Sequence, residues 1–274
     1  MGFKIIALDI DGTLVDDWNQ IDSMTLRTLQ QARARGIKIV LTTGRPLSGT
    51  LSLLEKLGLN NNPNEYVITY QGAILETTNG DIIYQNPLTF RAFVNIEMNL
   101  FHKPINLLSL TNNSIYIVQK DANYFTAKEA VKNHLSIKFR TLHEMIEKRD
   151  ELVFPKLMIA GRKENLDNIQ PILMDQFSGN YNLIRSENNY IDINQKNVDK
   201  GVALQKLVKH LHLVRENVLA IGNGDNDLSM IKYAGLGIGM QNSTSNILKQ
   251  ADIITSSNND SGVAKAIRKF VLAD

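Results

Sequence analysis

Residues 5–15 constrain the fold of this chain most strongly, because an apolar run ends there in two aspartates. The run Ile5–Leu8 is typical of a buried strand in a parallel sheet, whose strands are apolar on both faces. Asp9 and Asp11 follow at the carboxyl end of this strand, where ligands collect in open α/β sheets. A lone Asp-x-Asp would favour a simple turn with Gly12 at its bend. The pattern Asp-x-Asp-Gly-Thr directly after an N-terminal strand instead favours a phosphate-transfer site, provided that partner residues occur downstream.

A second strand of the same kind follows one helix. The helix is predicted to begin at Asp22 or Ser23, either of which can cap it, and to end before Gly36. The apolar run 37–41 completes a strand-helix-strand unit, which implies parallel pairing with a right-handed crossover. This strand ends in Thr42-Thr43-Gly44-Arg45-Pro46. A hydroxyl, a glycine and an arginine suit a phosphoryl group there, although the same residues also open helices.

The sequence changes in character from about Asn86. Helical and strand patterns alternate there, and the block carries no catalytic motif. Pro171 falls inside its last helical pattern and predicts either a kink or a later helix start. The block is predicted to be an inserted α+β module, so residues 1–85 and 189–274 form the parallel-sheet core and residues 86–188 the insertion. The predicted elements of the insertion are helices near 90–101, 124–132 and 166–177 and strands at 114–118, 156–160 and 181–185, and a further strand is predicted at 190–193, directly after it.

The core pattern resumes near Lys200, which opens a helix with apolar residues at helical spacing. A strand at 217–221 then ends in the loop Gly222-Asn223-Gly224-Asp225-Asn226-Asp227. A lysine at a helix start is usually a surface residue, and such a loop is usually a simple turn. Lys200 and this loop, combined with Asp9, Asp11 and Thr43 in this order, indicate a phosphate-transfer site much more specifically than any one of them alone.

Composition excludes several classes of protein. The chain has no cysteine, so disulfides, thiolate catalysis and zinc–cysteine sites are excluded. Lys and Arg number 30 against 28 Asp and Glu, and a net charge of +2 gives no reason to expect a nucleic acid or a membrane as partner. No apolar stretch approaches the ~20 residues of a membrane span, and the N-terminus has no signal-peptide pattern. We therefore expect a soluble cytoplasmic protein.

The order of these motifs resembles that of the haloacid dehalogenase superfamily of phosphotransferases. Its four motifs match, in order, Asp9-Ile10-Asp11-Gly12-Thr13, Thr43, Lys200 and Gly222–Asp227. The insertion resembles the class IIB cap of that superfamily. Three further stretches look like the Cof-type sugar-phosphatase branch: Thr43–Pro46, Gln71–Ile74 and Asp260–Ala264. The resemblance spans essentially the whole chain and implies an α/β fold with a Rossmann-like parallel-sheet core and an inserted α+β cap.

The resemblance also implies a Mg²⁺-dependent phosphatase that acts on a small phosphorylated metabolite such as a sugar phosphate. Asp9 would attack phosphorus to form an aspartyl-phosphate. Asp11 would protonate the leaving alcohol and then deprotonate the hydrolytic water. The implied metal ligands are Asp9, the Asp11 carbonyl, Asn223 and Asp227, the last directly or through a water. The implied substrate-binding residues are Gly12, Thr43, Gly44, Arg45, Lys200 and Asn226.

The fourth motif departs from the usual pattern Gly-Asp-x-x-Asn-Asp. If Asn226-Asp227 anchor the match, Asn223 stands where a metal-ligating aspartate is expected. If Gly224-Asp225 anchor it, the loop is two residues short. The first alignment is favoured because the apolar strand ends at Gly222, but the second stays open.

Two other functions fit parts of the pattern. A phosphohexomutase-like phosphotransferase would share Asp9 and Asp11 and would return the phosphoryl group to the sugar. A non-catalytic sugar-phosphate-binding regulatory protein would explain Asn223 as a sign of lost metal binding. The joint presence of Asp9, Asp11, Thr43 and Lys200 favours an enzyme over the regulatory protein, and only an assay separates a phosphatase from a mutase.

Overall fold

The computed structural model describes residues 2–273, which divide into two compact units. The first unit contains the residues up to Gly44, Leu51–Tyr84 and the residues from Asp199 onward. The second contains Arg45–Thr50 and Gln85–Val198. Within residues 2–273, no helix is long and apolar enough to cross a membrane.

The elements alternate between strands and helices along most of the chain. The strands of residues 2–273 are β1 (Ile5–Asp9), β2 (Lys38–Thr42), β3 (Tyr66–Thr69), β4 (Ile74–Thr77), β5 (Ile82–Gln85), β6 (Asn106–Leu110), β7 (Ser114–Ile117), β8 (Ser136–Phe139), β9 (Lys156–Ala160), β10 (Tyr181–Glu187), β11 (Tyr190–Gln195), β12 (Val218–Gly222), β13 (Leu236–Gly239) and β14 (Ile253–Ile254). The α-helices of the same residues are α1 (Ser23–Ala34), α2 (Leu51–Lys56), α3 (Phe90–Leu100), α4 (Tyr124–Lys132), α5 (Leu142–Glu147), α6 (Lys163–Phe177), α7 (Lys200–His210), α8 (Leu228–Tyr233), α9 (Ser245–Gln250) and α10 (Gly262–Ile267).

The sheet of the first unit is mostly parallel. Its order is β14-β13-β12-β1-β2-β3-β4-β5, in which β14 through β3 pair in parallel and β4 runs antiparallel to β3. At its centre Ile6 pairs with Leu219 of β12 and Ile39 of β2, and all three side chains are fully buried. Each such burial stabilises the fold by about 1.5–3 kcal/mol relative to an exposed side chain. The predicted α/β fold with a parallel core is confirmed.

Helices cover this sheet as their sequence patterns predict. Leu204 and Leu207 of α7 join the apolar core that contains Ile5 and Ala7 of β1. The predicted start of α1 is confirmed, because Asp22 accepts the main-chain N–H of the second and third residues of the helix at 2.9 Å each. A 3-10 turn at Leu47–Thr50 precedes the short α2.

The second unit contains a separate sheet of order β10-β11-β9-β6-β7-β8. Its strands pair antiparallel, except that β7 and β8 are parallel. Helices α3 and α6 pack with this sheet through one apolar core, which includes Phe93, Phe154, Leu157 and Leu166.

Several features of the second unit differ from the sequence-based expectation. Strands β6 and β8 and helix α5 were not predicted. Helix α6 begins at Lys163 and continues through Pro171, so the alternative of a later helix start is wrong. The predicted boundary at residue 188 falls between β10 and β11. Both strands belong to the second unit, because β11 pairs with β10 on one side and β9 on the other.

Candidate active site

The sheet order of the first unit brings three predicted motifs to one edge. Strands β12, β1 and β2 are parallel neighbours, so their carboxyl ends lie side by side. Asp9 ends β1, Thr43 follows β2, and Asn223 follows β12. Lys200 is the first residue of α7, whose N-cap Asp199 accepts the main-chain N–H of Val202 at 2.8 Å.

A buried ion cluster lies at this edge. Lys200 Nζ donates to Asp9 Oδ1 at 2.6 Å and to Asp227 Oδ1 at 2.6 Å. Lys200 and Asp227 are fully buried, and Asp9 is nearly so. A buried charge needs a close partner to offset its lost hydration, and one lysine here serves two carboxylates.

The cluster changes the acidity of its members. Burial raises the pKa of Asp9 to about 7, and the Asp227 carboxylate adds to this, although Lys200 pulls the value down. Burial alone would lower the pKa of Lys200, but its attraction to Asp227 and Asp9 is stronger and raises it. Lys200 is therefore charged at neutral pH and holds one oxygen of Asp9.

The geometry of the acidic loop after β12 agrees with the alignment of the fourth motif that is anchored on Asn226-Asp227. Asp227 Oδ2 accepts the main-chain N–H groups of Asn223 and Gly224, each at 2.9 Å, which folds the loop around the ion cluster. Asp225 is exposed and accepts the hydroxyl of Thr244 at 2.5 Å. Asn223, and not Asp225, is thus next to Asp9.

Three oxygens come together between Asp9, Asp11 and Asn223. Asn223 Oδ1 accepts the Thr13 hydroxyl at 2.9 Å. If the amide is turned by 180°, its nitrogen takes this position and donates to Asp9 Oδ2 at 3.1 Å and to the Asp11 carbonyl at 3.0 Å. The two amide orientations therefore place either an oxygen or a nitrogen at the same point.

These donors fit a magnesium ion. Mg²⁺ binds oxygen ligands at about 2.0–2.1 Å in octahedral geometry, which separates neighbouring ligand oxygens by roughly 3 Å. The set contains one carboxylate, one carbonyl and one amide. It therefore differs from a cluster of three or more His, Cys, Asp and Glu side chains, and residues 2–273 contain no such cluster suited to a metal. Asp227 already uses Oδ1 for Lys200 and Oδ2 for two N–H groups, so its geometry favours contact through a water over direct ligation.

Gly12 and Thr13 shape the turn after Asp11. Gly12 has φ +78°, a conformation that favours glycine, and a Cβ there would lie 2.6 Å from Asn223 Nδ2. Thr13 is buried, and its hydroxyl contacts the Asn223 amide as described above. Asp11 itself is exposed, so its carboxylate is accessible to a reactant while Asp9 is enclosed.

Sequence reasoning missed the contribution of Gln71. Its main-chain N–H donates to Thr43 O at 2.9 Å, and its Oε1 accepts from Asn226 Nδ2 at 3.0 Å. A Cβ on Gly44 would lie 2.7 Å from Gln71 Nε2, and a Cβ on Gly72 only 2.2 Å from Asp199 O. This turn therefore connects the loop after β2, the start of α7 and the loop after β12. The sequence does indicate a loop at this end of the sheet, since Gln71-Gly72 comes shortly after the apolar strand β3.

The remaining predicted residues lie as follows. Thr43 is buried, and its main-chain N–H donates to Ile68 O at 2.8 Å. Arg45 belongs to the second unit, where its guanidinium donates to Gly49 O at 3.3 Å. The substrate-binding role of Arg45 stays a prediction.

Two known proteins of similar sequence are phosphatases by name. A Streptococcus pyogenes serotype M6 protein, provisionally named a phosphatase, is 34% identical over 99% of this chain and 100% of its own. The 5-amino-6-(5-phospho-D-ribitylamino)uracil phosphatase YcsE of Bacillus subtilis is 29% identical over 98% of this chain and 96% of its own.

Solved structures agree with the fold. A haloacid dehalogenase-like hydrolase from Bacteroides thetaiotaomicron is 30% identical, with a TM-score of 0.86 over 97% of this chain and 99% of that one. A subclass IIB sugar phosphatase of the superfamily has a TM-score of 0.80 over 98% of this chain and 100% of its own, and at 23% identity it supports the fold alone.

The family model for haloacid dehalogenase-like hydrolases matches residues 6–267. It covers the first motif, the insertion and the last predicted motif together, and with the named relatives it confirms the predicted enzyme class, a phosphoric monoester hydrolase. The chain belongs to the haloacid dehalogenase-like hydrolase family.

Proposed function

We propose that this enzyme hydrolyses small phosphomonoesters, such as sugar or polyol phosphates, with Mg²⁺ and through an aspartyl-phosphate on Asp9. The observation that carries the proposal is the position of Asp9, whose Oδ1 accepts from Lys200 while Oδ2 lies 3.1 Å from the Asn223 amide, which is also 3.0 Å from the Asp11 carbonyl. Oδ1 is the nucleophile in this proposal, and Oδ2 is assigned to the metal.

The residues around Asp9 each have a separate part in the reaction. Lys200 offsets the negative charge that gathers when the carboxylate approaches a phosphoryl group. The exposed carboxylate of Asp11 protonates the leaving alcohol and then takes a proton from the water that attacks the aspartyl-phosphate. Thr43 and the main chain at Gly44 bind phosphoryl oxygens. Asn226, held by Gln71, borders the same space.

Asp9 Oδ2, the Asp11 carbonyl and Asn223 would hold the magnesium ion, with Asp227 behind a water. When bound, the ion supplies positive charge to the phosphoryl oxygens. Asp227 keeps the loop closed through the main chain of Asn223 and Gly224, so its removal would disorganise the ligands as well as Lys200.

We further propose that the second unit acts as a class IIB cap, which selects the alcohol part of the substrate. It has its own sheet and apolar core and carries none of the four motifs, although it includes Arg45 of the stretch Thr43–Pro46. One relative is named as the phosphatase of a phosphorylated ribityl compound, which supports a polyhydroxylated leaving group. The cytoplasmic location and the absence of nucleic-acid and membrane partners stay predictions.

A panel of phosphorylated sugars, polyols and nucleotides, assayed for released phosphate, tests the proposal. We expect turnover of at least one sugar or polyol phosphate with Mg²⁺ and loss of that turnover in EDTA. Return of the phosphoryl group to another sugar hydroxyl, without release of phosphate, would favour the mutase alternative. Binding of these esters without any turnover would favour the regulatory alternative and contradict the proposal.

A further inference from the structure

The two ends of the Asn223 side-chain amide have different surroundings. One amide position is surrounded by Thr13 Oγ1 at 2.9 Å, Asp9 Oδ2 at 3.1 Å and the Asp11 carbonyl at 3.0 Å. The other amide position lies against Gly12, where a Cβ would be only 2.6 Å away. Without a cation, the three oxygens favour the nitrogen at the first position, because only the amide N–H groups can donate to Asp9 Oδ2 and the Asp11 carbonyl.

The two orientations correspond to two chemical states of the site. With nitrogen at the shared position, its N–H groups donate to oxygens that otherwise repel one another. With Oδ1 at that position, it lies 3.1 Å from Asp9 Oδ2 and 3.0 Å from the Asp11 carbonyl oxygen, and these oxygen–oxygen contacts are favourable only around a cation. An ionised aspartate presents an acceptor oxygen in both orientations, so it cannot donate to Asp9 or to the Asp11 carbonyl.

We propose that Asn223 is an exchangeable ligand, whose nitrogen holds Asp9 and the Asp11 carbonyl when no metal is bound and whose oxygen replaces it when Mg²⁺ binds. This inference rests on the proposed function only in its assignment of Mg²⁺ to the site. It has two consequences. The metal-free site is stable, because the amide supplies the positive ends that a cation would supply. Mg²⁺ binds more weakly than to an aspartate, because binding breaks the amide contacts and gains no full charge.

Asn223→Asp tests both consequences without reference to turnover. In EDTA the variant should unfold at a lower temperature than wild type, because its new carboxylate faces Asp9 Oδ2 and the Asp11 carbonyl. Added Mg²⁺ should restore its unfolding temperature, whereas wild type should change much less. Calorimetric titration with Mg²⁺ should give a dissociation constant lower by about tenfold or more, since one full ion–ion attraction is gained.

Asp225→Asn is the matched control, because it changes charge in the same loop on an exposed side chain. It should leave both the unfolding temperature in EDTA and the Mg²⁺ dissociation constant close to wild type. A side-chain amide signal pair that is lost in Asn223→Asp identifies Asn223 by NMR, and in wild type this pair should shift on Mg²⁺ addition.

Either of two results would overturn the inference. One is an Asn223→Asp protein as stable as wild type in EDTA with the same Mg²⁺ affinity. The other is a weaker Mg²⁺ affinity in Asp225→Asn alone, which would make Asp225 the ligand. A protein that shows the expected stability and affinity changes but hydrolyses no ester would refute the proposed function and leave this inference standing.

Discussion

Asp9→Asn is expected to reduce phosphatase activity by at least about 10⁴-fold, because the amide cannot serve as the attacking carboxylate. The substitution keeps the size and shape of a nearly buried side chain. Burial already disfavours the charged form of Asp9, so its neutral replacement should cost the fold little. The measurement is the rate of phosphate release from the best substrate of the panel, together with the unfolding temperature.

Asp11→Asn is the matched comparison for Asp9→Asn. Asp11 lies two residues after Asp9 and is exposed, and the loss of its carboxylate removes only proton transfer. We expect its activity to fall by about 10²–10⁴-fold, the usual contribution of general acid–base catalysis. An Asp9→Asn protein that is folded and keeps a near-normal rate would refute the assignment of the nucleophile.

Lys200→Met is expected to have the second largest effect, on both stability and activity. It leaves the buried carboxylates of Asp9 and Asp227 facing each other without the cation that bridges them at 2.6 Å. Removal of one partner from a buried ion pair typically costs about 3–5 kcal/mol of unfolding free energy. Loss of a fixed positive charge beside the phosphoryl group should reduce turnover by about 10²–10³-fold. Denaturant unfolding and phosphate release measure the two effects.

Two further variants separate the effects of Lys200→Met. Adding Asp227→Asn removes one of the unpaired carboxylates, so the double variant should regain part of the lost stability while its activity stays low. Lys209→Met changes an exposed lysine on the same helix and should alter neither quantity. Lys200→Met with wild-type stability and rate would show that the buried cluster has no part in the reaction.

The approach of Asp9 to Lys200 could be predicted from the sequence, because both residues belong to motifs with a fixed order. Apolar strands that each end in a polar motif imply neighbouring carboxyl ends, and the strand order β12-β1-β2 agrees. The N-terminal cap of α1 could be predicted as well, since Asp22 directly before the helix is a local signal.

The orientation of the loop after β12 could not be settled from its residues alone. Asn223 and Asp225 are both plausible ligands by type, and the choice depends on contacts from distant parts of the chain. The Asp225 carboxylate accepts a hydrogen bond from Thr244, whereas the Asn223 side chain is hydrogen-bonded to Thr13. Gln71 escaped prediction for the same reason, because its role consists of contacts with Thr43 and Asn226.

The insertion was predicted less completely than the core. No residue of β8 is fully buried and only Met145 of α5 is, so neither sequence carries a clear apolar pattern. Pro171 removes one helical hydrogen bond, yet α6 continues because Leu166, Ile169 and Leu173 are buried in the core of the second unit. Tertiary packing outweighs local preference at this position.

The stereochemistry of phosphoryl transfer tests the central claim most directly. A phosphorothioate version of the best substrate, made chiral at phosphorus with oxygen isotopes, is hydrolysed by the wild-type enzyme in isotope-labelled water. Attack by Asp9 followed by attack of water inverts phosphorus twice, so we predict net retention of configuration in the released thiophosphate. Net inversion would mean that water attacks the ester directly, and it would contradict an aspartyl-phosphate on Asp9.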